Sequence, residues 1–194
     1  MHKLITNKHV QSFQRDGVVL IKGLFADYVD IIRSGIEYNM SFPGPYSAEN
    51  LKEGEVGRFF DDYCNWNRIS EFEDVIWNSP AAEIAANLME SNRAQFFHDH
   101  VLVKEPGTSK ETPWHQDGPY YFIDGIQNVS LWSLTRRANL NDDVTGLGQS
   151  GSRGDNFNAG GFILRIAKAC STASTFLDHT VMTKFLQLNC AFGC

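Results

Sequence analysis

The residues whose types and spacing are best suited to chemistry are His115, Gln116 and Asp117. In an extended strand, residues two apart project from one face, so the imidazole of 115 and the carboxylate of 117 can grip a single metal ion together. Pro113, Trp114 and the run Pro119-Tyr120-Tyr121-Phe122 flank the pair and give the carboxylate an apolar, aromatic-rimmed surround. A carboxylate taken out of water needs a partner, and a divalent cation is a good one.

A lone His-x-Asp is a weak signal, because a histidine and an aspartate hydrogen-bonded for structural reasons give the same pattern. Its context raises the metal reading. A Pro/Gly loop from Glu105 to Thr112 precedes it, and a strand carrying His98, His100, Leu102 and Lys104 on one face can pair beside it. In open-site iron oxygenases two histidines and one carboxylate hold one face of Fe(II), leaving the other positions for substrate and oxygen. His115 and Asp117 supply two of those three ligands. His98-x-His100 has the same geometry and is the candidate for a cupin-like metal-binding module; its plainer reading is one histidine hydrogen-bonded toward the core and the other half exposed. His2 and His9 lie in a terminal region and read as solvated.

The elements that must position these residues follow from periodicity. Thr6 or Asn7 caps a short helix with Val10 and Phe13 inward, ending near Asp16-Gly17. Val18–Ile21 is predicted as a β-branched strand, and Phe25–Tyr38 as an amphipathic helix with apolar residues at helical spacing. Ser41–Glu55 is a loop of the length often used for lids. Arg58-Phe59-Phe60 reads as a strand or strand end, and Trp66–Trp77 as a helix. A further helix runs from the Ser79-Pro80 start to about Met89. Arg93–Lys104, Trp114–Phe122 and Ile126–Ser133 are strands. Helices first and strands later imply a helical face packed on a mainly β core, an α+β arrangement.

At 194 residues the chain fits one domain, and 42% hydrophobic and 12% aromatic content argue for a folded, globular protein. A net charge of -6 with scattered basic residues argues against nucleic acid or an anionic membrane surface as partner and leaves a small-molecule substrate. No signal-peptide core or membrane-length apolar stretch is present, and the ending Phe192-Gly193-Cys194 is not a peroxisomal signal, so a cytoplasmic location is expected. Cys64, Cys170, Cys190 and Cys194 form no CxxC pair and read as free thiols in a reducing compartment.

The segment FHDHVLVKEPGTSKETPWHQDGPYYFIDGIQNVSLW closely resembles the phytanoyl-CoA dioxygenase family of Fe(II)/2-oxoglutarate-dependent oxygenases, and GRFFDDYCNW, SPAAEIAANLM and DGVVLIKGLF extend the likeness upstream. The resemblance covers about residues 1–133. It implies a double-stranded β-helix, the jelly-roll or cupin-like fold, with N-terminal helices. It also implies that His115 and Asp117 are catalytic iron ligands and that Trp132 lines the cosubstrate pocket, with Arg58 and Lys104 near positions that contact 2-oxoglutarate. The implied reaction consumes O2 and 2-oxoglutarate, releases succinate and CO2, and hydroxylates a small organic or acyl substrate. Relatives that halogenate lack the carboxylate of Asp117, so hydroxylation is favoured.

Beyond Trp132 the sequence departs from the family. The family's distal histidine and the arginine that pairs with the far carboxylate of 2-oxoglutarate are not recognisable. The remaining histidine is His179, the candidate third iron ligand, and no arginine follows Arg165. Residues 134–161 are glycine-rich, and 162–194 show neither clean alternation nor a helical stripe. The expectation is therefore one oxygenase domain over 1–194, family-like over 1–133, whose tail at 134–194 is atypical, frameshifted or alternative and lacks the closing strands. A catalytically inactive, truncated family member is the rival reading.

Overall fold

Among the described residues, five helical segments precede or interrupt the strands. In α1 (Asn7–Asp16) the Thr6 hydroxyl accepts from the His9 N–H while the His9 ring accepts from the Thr6 N–H, both at 3.3 Å. This is a capping box with histidine in the position usually taken by Glu or Gln. Gly17 at φ +72° ends the helix in the left-handed conformation. A 3-10 turn (Ala26–Tyr28) leads into α2 (Val29–Ser41), followed by α3 (Ser70–Asn78) and α4 (Ala81–Leu88). The Ser79 hydroxyl accepts from the Ala81 N–H at 3.3 Å, but the helix begins one residue later than read, with Pro80 rather than Ser79 at the N-cap. At Gly35 of α2 a Cβ would lie 2.5 Å from the Phe72 ring; the missing side chain lets α3 pack against α2.

The computed structural model describes residues 1–17, 19–21, 23–108, 110 and 127–134, together with the backbone of 183–192. Within them the strands are β1 (Ala48–Glu49), β2 (Phe59–Tyr63), β3 (Gln95–Lys104), β4 (Gln127–Leu134) and β5 (Thr183–Phe192), joined in the order β1-β2-β3-β5-β4. Every neighbouring pair is antiparallel.

Two expectations are corrected. Val19–Ile21, the described part of the predicted Val18–Ile21 strand, pairs with no strand among the described residues, although Val19 and Ile21 are buried in the helical core; a short β-branched run signals burial as readily as it signals a ladder. The tail, read as lacking closing strands, supplies β5, and that strand lies between β3 and β4, pairing with both. Its partners stand far away in sequence, so no local pattern announces it.

Alternation divides β2, β3 and β4 into two faces. Phe60, Val101, Val103, Val129 and Leu131 join Phe13, Ile32, Ile36, Phe72, Val75 and Ile84 in the helical core. Phe59, Leu102 and Trp132 form a separate cluster on the opposite face, with Leu51 packed against it.

The core side also contains fully buried carboxylates, and each is explained by donors. Asp99 accepts from the backbone N–H groups of Asn65 and Trp66 at 3.1 and 3.0 Å. Asp62 accepts from Asn39 Nδ2 at 2.8 Å and the Gly44 N–H at 2.7 Å, with Arg68 at 3.8 Å. Arg68 also donates to Asn65 Oδ1 and to the Phe42 carbonyl. These bonds pin the Cys64–Trp66 turn and the entry to the 41–58 loop against the sheet.

Candidate active site

The face of the sheet turned away from the helices carries most of the side chains with chemistry. Strand parity places Lys104, Leu102, His100 and His98 of β3 there, opposite Phe59, Asp61 and Tyr63 of β2. Across β5, the register links His100 through Gln187 to Trp132, and His98 through Asn189 to Ser130.

Lys104 is an internal lysine with no exposed surface. Its Nζ lies 4.3 Å from the centre of the Phe59 ring and donates to the Lys110 carbonyl at 3.1 Å. A lysine is fully buried only at substantial desolvation cost, and both an aromatic face and a carbonyl offset part of it. The neighbouring Phe59, Leu102 and Trp132 give this end of the face an apolar wall. Trp132, expected at the cosubstrate pocket, is thus on the same face as Lys104.

Arg58 is engaged on the rim. Its guanidinium donates to Glu49 at 2.7 Å and lies 5.0 Å from the Phe60 ring centre, on the core side of β2. With the Lys110 ammonium bonded to the Asn50 carbonyl and the Asn50 amide bonded to Asp61 Oδ2 at 2.8 Å, it ties the 48–50 hairpin to the site. Burial pushes the Asp61 carboxyl above its usual range, the Asn50 bond opposing it.

At the other end, the His100 ring stacks on Tyr63 with centres 3.9 Å apart and planes 16° from parallel. His98 stands 6.1 Å from Tyr63 and 4.6 Å from Phe97. Both histidines therefore share one face; His98 is buried and His100 half-buried, the division of the plainer reading, but on the side of the sheet away from the helices. Among the described residues no group of three or more His, Cys, Asp or Glu could hold a metal ion, so nothing there completes a site on His98 and His100. His115, Asp117 and His179 lie outside the described residues. Tyr63 escaped the sequence reading; the alternation Phe59, Asp61, Tyr63 beside a strand bearing His98 and His100 was the signal available.

Burial lowers the pKa of His98 to about 4, so its imidazole is neutral at pH 7. An unfolded chain would titrate this residue near its ordinary value of about 6.5. The unfolded state then binds more protons between these values, and stability falls as pH drops from about 6.5 toward 4. The iron-free protein is expected to lose about 2 kcal/mol from this group between pH 7.5 and 5. Urea titrations at the two pH values should show that loss in the parent and a smaller one in His98→Gln; equal losses in both proteins would refute the assignment.

The family model for phytanoyl-CoA dioxygenase (PhyH) matches residues 13–141. Among solved structures, the chain is similar to AviO1 from Streptomyces viridochromogenes Tue57, with 14% identity and a TM-score of 0.68 over 99% of this chain and 97% of that one. It is also similar to the non-heme alpha ketoglutarate dependent epimerase SnoN from nogalamycin biosynthesis (13%, 0.65, 95% and 82%). The carbocyclase SnoK from the same biosynthesis gives 14%, 0.63, 96% and 84%. At these identities the likeness shows the fold. No curated protein matches the chain. No helix among the described residues is long and apolar enough to cross a membrane.

Proposed function

The chain belongs to the phytanoyl-CoA dioxygenase family, and from that premise we propose that it is an Fe(II)- and 2-oxoglutarate-dependent dioxygenase of jelly-roll fold that hydroxylates a small organic or acyl substrate. Succinate and CO2 are the coproducts. The observation that supports this reading best is the juxtaposition of a fully buried lysine, Lys104, with the apolar wall of Phe59, Leu102 and Trp132. That pairing suits 2-oxoglutarate, whose far carboxylate needs a cation and whose methylene chain needs an apolar surface.

In this reading His115 and Asp117 hold the iron, with His179 as the third ligand, while Arg58, paired with Glu49 on the core side of β2, stands away from the cosubstrate pocket. The iron, when bound, supplies oxygen activation coupled to decarboxylation of the keto acid. The protein's own part is positional. Lys104 fixes one end of the cosubstrate, Trp132 and Leu102 exclude water from its chain, and the 48–50 hairpin holds the pocket closed at the edge. The domain is a single unit over 1–194 with family-like residues 1–133. The tail at 134–194 is an altered C-terminal half, a point decided by reading the other two frames of the coding DNA for the family's distal histidine and arginine. The working location is the cytoplasm.

The test is an anaerobic titration with Fe(II) and then 2-oxoglutarate, followed by an oxygen pulse and a succinate assay. A visible charge-transfer band and stoichiometric succinate are the expected result. Absence of a band would mean an incomplete iron site and would favour the inactive family member.

A further inference from the structure

Resting on the oxygenase reading, we propose that Lys110 is a positioning residue of the cosubstrate pocket: its side chain latches the end of the 105–110 turn to the 48–50 hairpin, so that its own carbonyl aims the Lys104 ammonium. Lysine carries three donors on a flexible four-carbon stem, so the direction of a buried ammonium is set by the groups it meets. For Lys104 these include the Phe59 ring at 4.3 Å and the Lys110 carbonyl at 3.1 Å. The N–H given to that carbonyl fixes the cone in which the other two can point. The ring is held by the ladder, in which Phe59 and Lys104 are register partners. Lys110 stands outside every strand, so the ladder does not place its carbonyl.

Among the described residues, backbone bonds anchor the turn as far as Thr108. The Glu105 N–H donates to the Arg58 carbonyl at 2.8 Å, and the Thr108 N–H to the Glu105 carbonyl at 3.3 Å. Close packing adds to this. A Cβ at Gly57 would lie 2.7 Å from the Thr108 nitrogen, and one at Gly107 would lie 2.8 Å from Val56 Cγ1. Past Thr108, the bond that joins the turn to the sheet edge runs from the Lys110 ammonium to the Asn50 carbonyl. Asn50 is itself fixed, its N–H donating to the Phe59 carbonyl at 2.7 Å and its side-chain amide to Asp61 Oδ2 at 2.8 Å. The contacts form a closed circuit from Phe59 to Asn50, Lys110, Lys104 and back to the Phe59 ring. Lys110 is exposed, and substitutions at exposed positions disturb stability little. Truncating its side chain therefore leaves the turn in place to Thr108 but frees the carbonyl, and the ammonium loses its aim. A misdirected donor holds a carboxylate less well, because hydrogen bonds weaken steeply with angle.

The test titrates the Fe(II)-loaded full chain with 2-oxoglutarate and follows the charge-transfer band. Lys110→Ala is expected to raise the midpoint about fivefold, and Lys110→Arg, which keeps a cationic donor near Asn50, to stay within about twofold of the parent. Because Lys110 acts through Lys104, its truncation should cause no further rise in a Lys104→Met background, whereas a general loosening of the edge would weaken binding in both. The iron-free protein gives a second readout. Hydrogen exchange over residues 46–52, which include the Asn50 N–H, is expected to speed at least about threefold in Lys110→Ala and to return with Lys110→Arg. Where Lys110→Ala melts early, Lys110→Met, which keeps the stem, takes its place. An unchanged midpoint, an equal rise in the two backgrounds, or unchanged exchange would overturn the proposal. A parent without a band refutes the oxygenase reading and the cosubstrate role together, whereas a normal parent band with any of those three results refutes the latch alone.

Discussion

Replacing Lys104 with methionine is expected to weaken 2-oxoglutarate binding by about 30-fold or more, corresponding to at least about 2 kcal/mol. The reason is the position of the amine. Lys104 has no exposed surface, and there a charge interaction is screened far less than at a protein surface. Truncating one member of a buried, hydrogen-bonded charge pair typically costs about 2–5 kcal/mol. Methionine matches most of the lysine stem in length, leaves an apolar tip where the ammonium faced the Phe59 ring and adds no buried charge, so folding should be retained. The measurement is the concentration of 2-oxoglutarate needed for half-maximal charge transfer in each protein. An unchanged midpoint would show that the lysine serves the fold alone, through its bond to the Lys110 carbonyl, and would remove it from the cosubstrate pocket.

The second large effect concerns stability. Asp99→Ala is expected to cost about 2–4 kcal/mol in urea unfolding, because the backbone N–H groups of Asn65 and Trp66 lose their only acceptor described here while remaining close to the buried sheet. Part of that loss is returned. Burial pushes the Asp99 carboxyl above its usual range, opposed by the two N–H bonds, so removing the charge also removes a desolvation penalty. The donors decide the sign, since neither can find a replacement partner without unwinding the turn in which Cys64 already sits at φ +59°. A cost below about 1 kcal/mol would mean that water enters the turn and satisfies both groups. Serine at 99 should recover part of the loss, because a hydroxyl can accept one of the two bonds.

Local chemistry was legible in the residues themselves. Thr6 and Gly17 bound α1, Ser79-Pro80 immediately precedes α4, and the apolar spacing of Ile32 and Ile36 sets the inward face of α2. The same is true of β3 and β4, whose ends differ from the predicted ones by a residue or two. The sharing of one face by His98, His100, Leu102 and Lys104 follows from period-two alternation alone, and the family resemblance rested on residues in the region that the family model matches.

Three features could not be read in this way. The Tyr63–His100 stack needs the β2–β3 register, which a one-residue slip would have reversed. The burial of Lys104 depends on Phe59 arriving opposite it from a segment more than forty residues earlier. The placement of Thr183–Phe192 between β3 and β4 closes contacts with strands that lie far earlier in the chain. By itself, then, the sequence determined which residues carry chemistry, that four helices form and which of their residues face inward, and which faces the strands turn inward, because these depend on neighbours within a few positions; the starts of α2 and α3 lie four residues later than the pattern indicates. Tertiary structure alone decided which of those faces meet and which strand lies between β3 and β4. Backbone pairing energy is nearly indifferent to side-chain identity, and the partner of a strand is chosen by long-range closure and the burial it allows.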